Sequence, residues 1–184
     1  MRRLTLAAGI AMLAFPLSPA QSAVISIGGP LSRSCYQAAL TDDDSNSAID
    51  ECTRALNEVA MTPTDRAATY VNRGILRMLR GNDADADADF DAALALNRDL
   101  PDAWLNKGFL RVRRGDGRDA LPLLQQGIDR RPERQALAIF ARGVAYEEMG
   151  EYRSAYEDLT RAHQLEPRWS LPSKYLSHYK VVRE

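Results

Sequence analysis

The sequence predicts an all-α solenoid of stacked helix pairs, and three observations carry that prediction. Three segments of 34 residues, 67–100, 101–134 and 136–169, align with Gln135 as the only insertion. Small residues recur within them at fixed offsets: Gly74, Gly108 and Gly143, then Gly81, Gly115 and Gly150, then Ala86, Ala120 and Ala155. Large apolar residues recur beside them, Tyr70, Trp104 and Ile139 early in each unit and Phe90, Leu124 and Leu159 late. A fixed period of this length is the mark of a repeat architecture, in which each unit buries its apolar face against the next.

The N-terminus stands apart from the repeats. Arg2 and Arg3 precede an apolar run over 4–17, and small residues follow to Ala23. Basic start, short apolar stretch and small-residue exit read as a secretory leader over 1–23, cleaved after Ala20 or Ala23. The run is short for a bilayer-spanning helix, and no later stretch approaches the required length. Losing Arg2 and Arg3 with the leader takes the net charge from −1 to −3, no footprint for nucleic acid or an anionic membrane.

Within each repeat the offsets have physical reasons. Two helices in close contact need residues without bulk where they touch, hence glycine on one and a small residue on the other. Glycine after the first helix suits a left-handed cap, and Asn82, Asp83 or Asp116 can cap the helix that follows. Pro132 and Pro167 end the second helices of their units, because proline cannot continue the hydrogen-bond ladder. On these residues, 67–169 resembles a tetratricopeptide-repeat domain, the family of 34-residue helix–turn–helix modules. The sequence departs from the family pattern at Arg73, Lys107 and Arg142, where leucine is commonest, at Arg77 and Arg111, where tyrosine is usual, and at Arg98 in place of proline.

Ahead of the repeats, 24–66 reads as a degenerate unit. Ala48, Cys52 and Ala55 hold the offsets of a second helix, 34–40 its short first helix, and 42–45 the turn. Cys35 and Cys52 then face each other across an antiparallel pair, and an even cysteine count in an exported chain points to a disulfide, with two free buried thiols as the alternative. Behind the repeats, Pro172 starts a stretch with Tyr175, Leu176, Tyr179 and Val182 at helical spacing, read as a capping helix over 170–184.

Little in the sequence reads as catalysis. Asp83, Asp85, Asp87, Asp89 and Asp91 alternate with apolar residues, but Ala88 and Leu94 stand where a calcium loop needs glycine and glutamate. A solvated helix face is the expectation, with Asp83, Asp87 and Asp91 on one side and Asp85 and Asp89 on another. Arg111, Arg113, Arg114 and Arg118 form a basic patch at a helix end, favourable to the helix dipole and a lesser candidate for gripping an acidic partner. His163 and His178 have no partner at metal or catalytic spacing, and no phosphate loop or nucleophile motif is present. The expectation is a non-enzyme without metal or cofactor.

The resemblance implies a concave surface lined by the first helices. Carried over residue by residue, its positions are Ala68, Val71, Asn72, Ile75 and Met78 in the first repeat. The second supplies Asp102, Leu105, Asn106, Phe109 and Val112, and the third Leu137, Phe140, Ala141, Val144 and Glu147. Asn72 and Asn106 hold one offset in successive units, and an amide that both donates and accepts suits an extended peptide backbone. The expectation is a protein or peptide partner, bound through Val71, Asn72, Ile75, Leu105, Asn106, Phe109, Phe140 and Val144 in the periplasm or outside the cell. The family's carboxylate clamp is absent, since Val71, Ile75, Leu137 and Ala141 stand at its positions and only Asn106 matches. The rival expectation is a scaffold or self-assembling envelope subunit, with the groove filled by the chain's own tail or a second copy.

Overall fold

The computed structural model describes residues 3–6 and 29–182. Among them, nine helices follow one another: α1 (Pro30–Leu40), α2 (Asn46–Glu58), α3 (Pro63–Leu79), α4 (Asp83–Leu96), α5 (Pro101–Arg113), α6 (Gly117–Asp129), α7 (Gln135–Glu148), α8 (Tyr152–Leu165) and α9 (Ser170–Leu176). Two short strands, β1 (Arg3–Leu6) and β2 (Tyr179–Val182), pair antiparallel with Leu4 opposite Val181. The leader predicted over 1–23 lies, apart from residues 3–6, outside the described residues.

Local chemistry sets the helix ends. Pro30, Pro63 and Pro101 open α1, α3 and α5, where the missing N–H costs nothing. Ser45 and Thr62 accept hydrogen bonds from the Ala48 and Asp65 amides and cap α2 and α3. Gly81, Gly115 and Gly150 have φ of +81°, +76° and +75°, and the amide after each returns to the carbonyl of Arg77, Arg111 or Tyr146. These are the predicted left-handed caps. Asn82 and Asp116 do precede α4 and α6, but neither side chain makes a capping bond.

The helices pack as sequential antiparallel pairs. Successive first helices α1, α3, α5 and α7 touch one another, whereas α2, α4, α6 and α8 make no comparable contact among themselves. One layer tight and the other splayed gives a curved stack with the first helices inside. The predicted glycines sit at equivalent contacts. A Cβ on Gly74 would lie 2.5 Å from the Phe90 ring, on Gly108 2.7 Å from Leu124, and on Gly143 3.2 Å from Leu159. Cys35 and Cys52 form a disulfide joining α1 to α2, with Cα atoms 4.8 Å apart.

Two expectations need correction. The predicted C-terminal helix over 170–184 stops at Leu176, and Tyr179–Val182 is a strand. β-branched and aromatic residues favour extended backbone once a pairing strand is present, here β1. The aspartates of α4 are also only in part a solvated face, since Asp85 and Asp91 are exposed but Asp83, Asp87 and Asp89 are not. Asp89, 3% exposed, accepts from Arg73 Nε (3.0 Å) and Nη2 (2.7 Å) and from Arg77 Nη1 (2.8 Å). Asp83, Asp87 and Asp91 turn instead to α5: Asp83 meets Arg113 and Arg114, Asp87 meets Arg111 (2.7 Å) and Lys107 (3.3 Å), and Asp91 meets Lys107. The angular split read from the sequence is right, but Asp83, Asp87 and Asp89 face basic side chains, while Asp85 and Asp91 stay exposed to water. Burial works against the Asp87 charge, yet Arg111 and Lys107 hold its carboxyl below the usual range.

The same pairs explain the basic residue before each repeat glycine. Arg142 forks onto Asp158 at 2.7 and 2.8 Å, sixteen residues on, as Arg73 does onto Asp89. In the middle repeat the sixteenth residue is Leu123, so Lys107 reaches back to Asp87 and Asp91 of the preceding unit. Three arginines of the predicted basic patch, Arg111, Arg113 and Arg114, are engaged in this way and bind repeats together.

Candidate functional site: the concave face

Gly74 faces α4, and Arg73 reaches Thr53 of α2. At about 100° per residue, Ile75, Ala68 and Asn72 lie roughly 100–160° around α3 from Gly74, on the side away from α2 and α4. The same offsets place Asp102, Asn106 and Phe109 on the inside of α5, and Leu137, Ala141 and Val144 on the inside of α7. Of the eight residues singled out in the sequence, Asn72, Ile75, Asn106, Phe109 and Val144 therefore share the inner face. Val71, Leu105 and Phe140 sit at seams. Leu105 packs where a Cβ on Gly127 of α6 would come within 2.4 Å. Phe140 meets Trp169 and Tyr175 edge-on, with ring centres 4.9 and 5.3 Å away. The C-terminal segment thus covers the last repeat at that point.

All eight are buried. Apolar burial is ordinary, but two of them are amides. Asn72 has neither its Nδ2 nor its Oδ1 in a hydrogen bond, and Asn106 donates Nδ2 to the Asp102 carbonyl (2.8 Å) while its Oδ1 has no partner. Leaving a buried polar atom unpaired costs about 1–3 kcal/mol, so native chains rarely do it without a reason. Here the three orphan atoms belong to one repeat offset on adjacent helices, facing the inside of the curve.

Acidic groups border the face. Burial pushes the Asp102 carboxyl up to about 6, with Glu133 adding to the effect. At the end of α7, burial and then Asp116 and Glu147 push Glu148 up to about 7, while its carboxylate accepts from the Gly117 amide at the start of α6. Gly117 fits there because it lacks a Cβ, which would lie 2.6 Å from the Ala145 carbonyl. Glu147, raised by its burial, faces the Tyr179 hydroxyl of the C-terminal strand. Sequence reading missed these contacts and the Arg73–Asp89 pair. The recurring spacing of sixteen between arginine and aspartate was the available signal for the latter.

Among the described residues no group of three or more His, Cys, Asp or Glu is placed to hold a metal ion, and no helix is long and apolar enough to cross a membrane.

No family model and no curated protein matches the sequence. Solved structures do match the fold. A crystal structure of MamA superimposes with a TM-score of 0.63 at 20% identity, covering 77% of this chain and 80% of that one. A MamA RS-1 double mutant gives 0.64 at 20% identity, covering 80% and 82%. MamA is a tetratricopeptide-repeat protein, and the fold of this chain, helix pair by helix pair, is of that type.

Proposed function

We propose that this protein is an exported, non-catalytic interaction module that holds a segment of another protein along the concave face of its first helices, in the periplasm or outside the cell. The observation carrying this reading is the pair of buried amides at one repeat offset, Asn72 and Asn106, whose Oδ1 atoms and one Nδ2 lack partners. An extended backbone offers N–H and C=O groups in alternation, which is what these atoms require. Ile75, Phe109 and Val144 beside them supply apolar contact for side chains. The leader-like N-terminus and the Cys35–Cys52 disulfide support an oxidising compartment.

A test places a photoreactive residue at Ile75 in one variant and at exposed Glu157 in another, and crosslinks each in the native envelope. The reading expects one defined peptide segment captured at position 75, lost when Asn72→Ala and Asn106→Ala are added. Equal capture from both positions, or capture indifferent to the asparagines, removes its basis. A second reading, a scaffold whose groove is filled by its own tail, draws support from the Trp169 and Tyr175 rings on Phe140. Deleting residues 170–184 and measuring mass in solution separates the two.

A further inference from the structure

Charge on the concave face is of one sign. Among the inner positions of the three repeats only Asp102 and Glu147 are charged, and no lysine or arginine stands there. Glu147 faces the Tyr179 hydroxyl and so has a neighbour within the fold. Asp102 is different. Elsewhere Asp83, Asp87, Asp89 and Asp158 each meet an arginine. Half-buried Asp102 has no ion pair among the described residues, and the charge acting on it, from Glu133, is of its own sign. Its repeat equivalents are Ala68 and Leu137, so the offset itself does not require an acid.

A second observation falls beside it. Asn106 lies one turn further along α5, a spacing that puts Cβ atoms about 5–6 Å apart. Its Nδ2 donates to the Asp102 carbonyl (2.8 Å), which fixes the amide's orientation, since turned over it would set Oδ1 against another acceptor. The atom left without a partner, in a residue 0% exposed, is therefore an acceptor. Asn72 Oδ1, on the adjacent inner helix, is in the same condition. Against these oxygens the inner positions hold one unpaired donor, Asn72 Nδ2. An extended backbone brings N–H and C=O groups in equal number and satisfies the Asn72 amide, but it cannot balance the surplus of acceptors around Asp102 and Asn106. Lysine carries three N–H donors and arginine five, with no acceptor on either. Burial works against the Asp102 charge, and a cation brought beside it would restore that charge in a site where water screens it poorly.

We infer that Asp102 and Asn106 form a cation subsite within the groove, taking the ammonium of a lysine or the guanidinium of an arginine presented by the bound segment. This rests on the reading of the concave face as a peptide-binding groove, and it gives that groove its specificity. The partner segment is extended and apolar, with one basic residue seated at the second repeat. Acidic segments are repelled by Asp102.

The experiment pans a display library of random heptapeptides on the protein expressed with its own N-terminus, and on its Asp102→Asn and Asn72→Ala variants, each checked for an unchanged melting temperature. Peptides selected by the native protein are expected to carry lysine or arginine at one fixed position among apolar residues. Asp102→Asn should weaken a selected peptide at least roughly tenfold, yet leave unchanged the affinity of its analogue with uncharged norleucine at that position. Asn72→Ala should weaken peptide and analogue by the same factor. Selected peptides without a fixed basic residue, or a basic preference that survives Asp102→Asn, overturn the inference. If uncharged apolar peptides are selected and depend on Asn72, the cation subsite fails and the groove reading stands. If nothing is selected, or what is selected ignores Asn72, both fail together.

Discussion

Asp89→Ala tests whether ion pairs hold the two helix layers together. Asp89 is 3% exposed and takes hydrogen bonds from Arg73 and Arg77, whose side chains are 13% and 21% exposed. Removing the carboxylate leaves two largely buried guanidinium groups without their counter-charge, Arg73 keeping only Thr53 Oγ1 and Arg77 only the Asp85 carbonyl as acceptors. Breaking a buried pair from one side costs about 3–5 kcal/mol, far more than the net worth of the intact pair. The arginines are not fully enclosed and can turn toward water, so the lower end, about 3 kcal/mol, is the expected loss. In a domain of this size that lowers the melting temperature by roughly 6–12 °C. Thermal and urea unfolding followed by circular dichroism give both numbers. Replacing all three groups by uncharged residues, with Arg73→Leu and Arg77→Tyr as usual in this repeat type and Asp89→Leu beside them, recovers most of the loss. A loss under 0.5 kcal/mol for Asp89→Ala, or no recovery in the triple variant, refutes the reasoning.

Further outcomes follow from the same geometry. Gly74→Ala drives a methyl into the Phe90 ring and is expected to cost about 1–3 kcal/mol in urea unfolding, with Phe90→Leu in the same chain relieving part of it. Cys35→Ala with Cys52→Ala opens the closed loop between α1 and α2 and lowers stability by about 3 kcal/mol, an effect reproduced in the native protein by a reducing agent. The folded-state carboxyl of Glu148 is raised from 4.5 to about 7, so the native state holds a proton that the unfolded chain releases. Stability is fully present below about pH 4.5 and falls as the pH rises toward 7. Unfolding midpoints measured across that interval are expected to decline, and Glu148→Gln is expected to flatten the decline.

The repeat was legible because its signal is local and recurrent. Gly74, Gly108 and Gly143 recur at equal spacing, and each performs the same close approach. The caps at Gly81, Gly115 and Gly150 were legible for the same reason. The aspartates of α4 were harder, since angular position on a helix says which residues share a face and not what stands opposite. The partners Arg111, Arg113 and Arg114 belong to the next unit, brought near by the stacking itself. The strand Tyr179–Val182 depends on a partner more than 170 residues away in sequence, a pairing that no local pattern encodes. On the concave face, the offset shared by Asn72 and Asn106 was visible at once. Their burial with both Oδ1 atoms and the Asn72 Nδ2 unpaired is tertiary, and only the folded chain reveals it.

The most direct measurement is solution NMR on the chain lacking residues 1–23, following the side-chain amide signals of Asn72 and Asn106 as an apolar, extended peptide is added. The account predicts that both signals shift together and become protected from solvent exchange, in step with the methyls of Ile75 and Val144. Shifts confined to the outer helices α4, α6 and α8, with both asparagine amides unmoved at saturation, would contradict it.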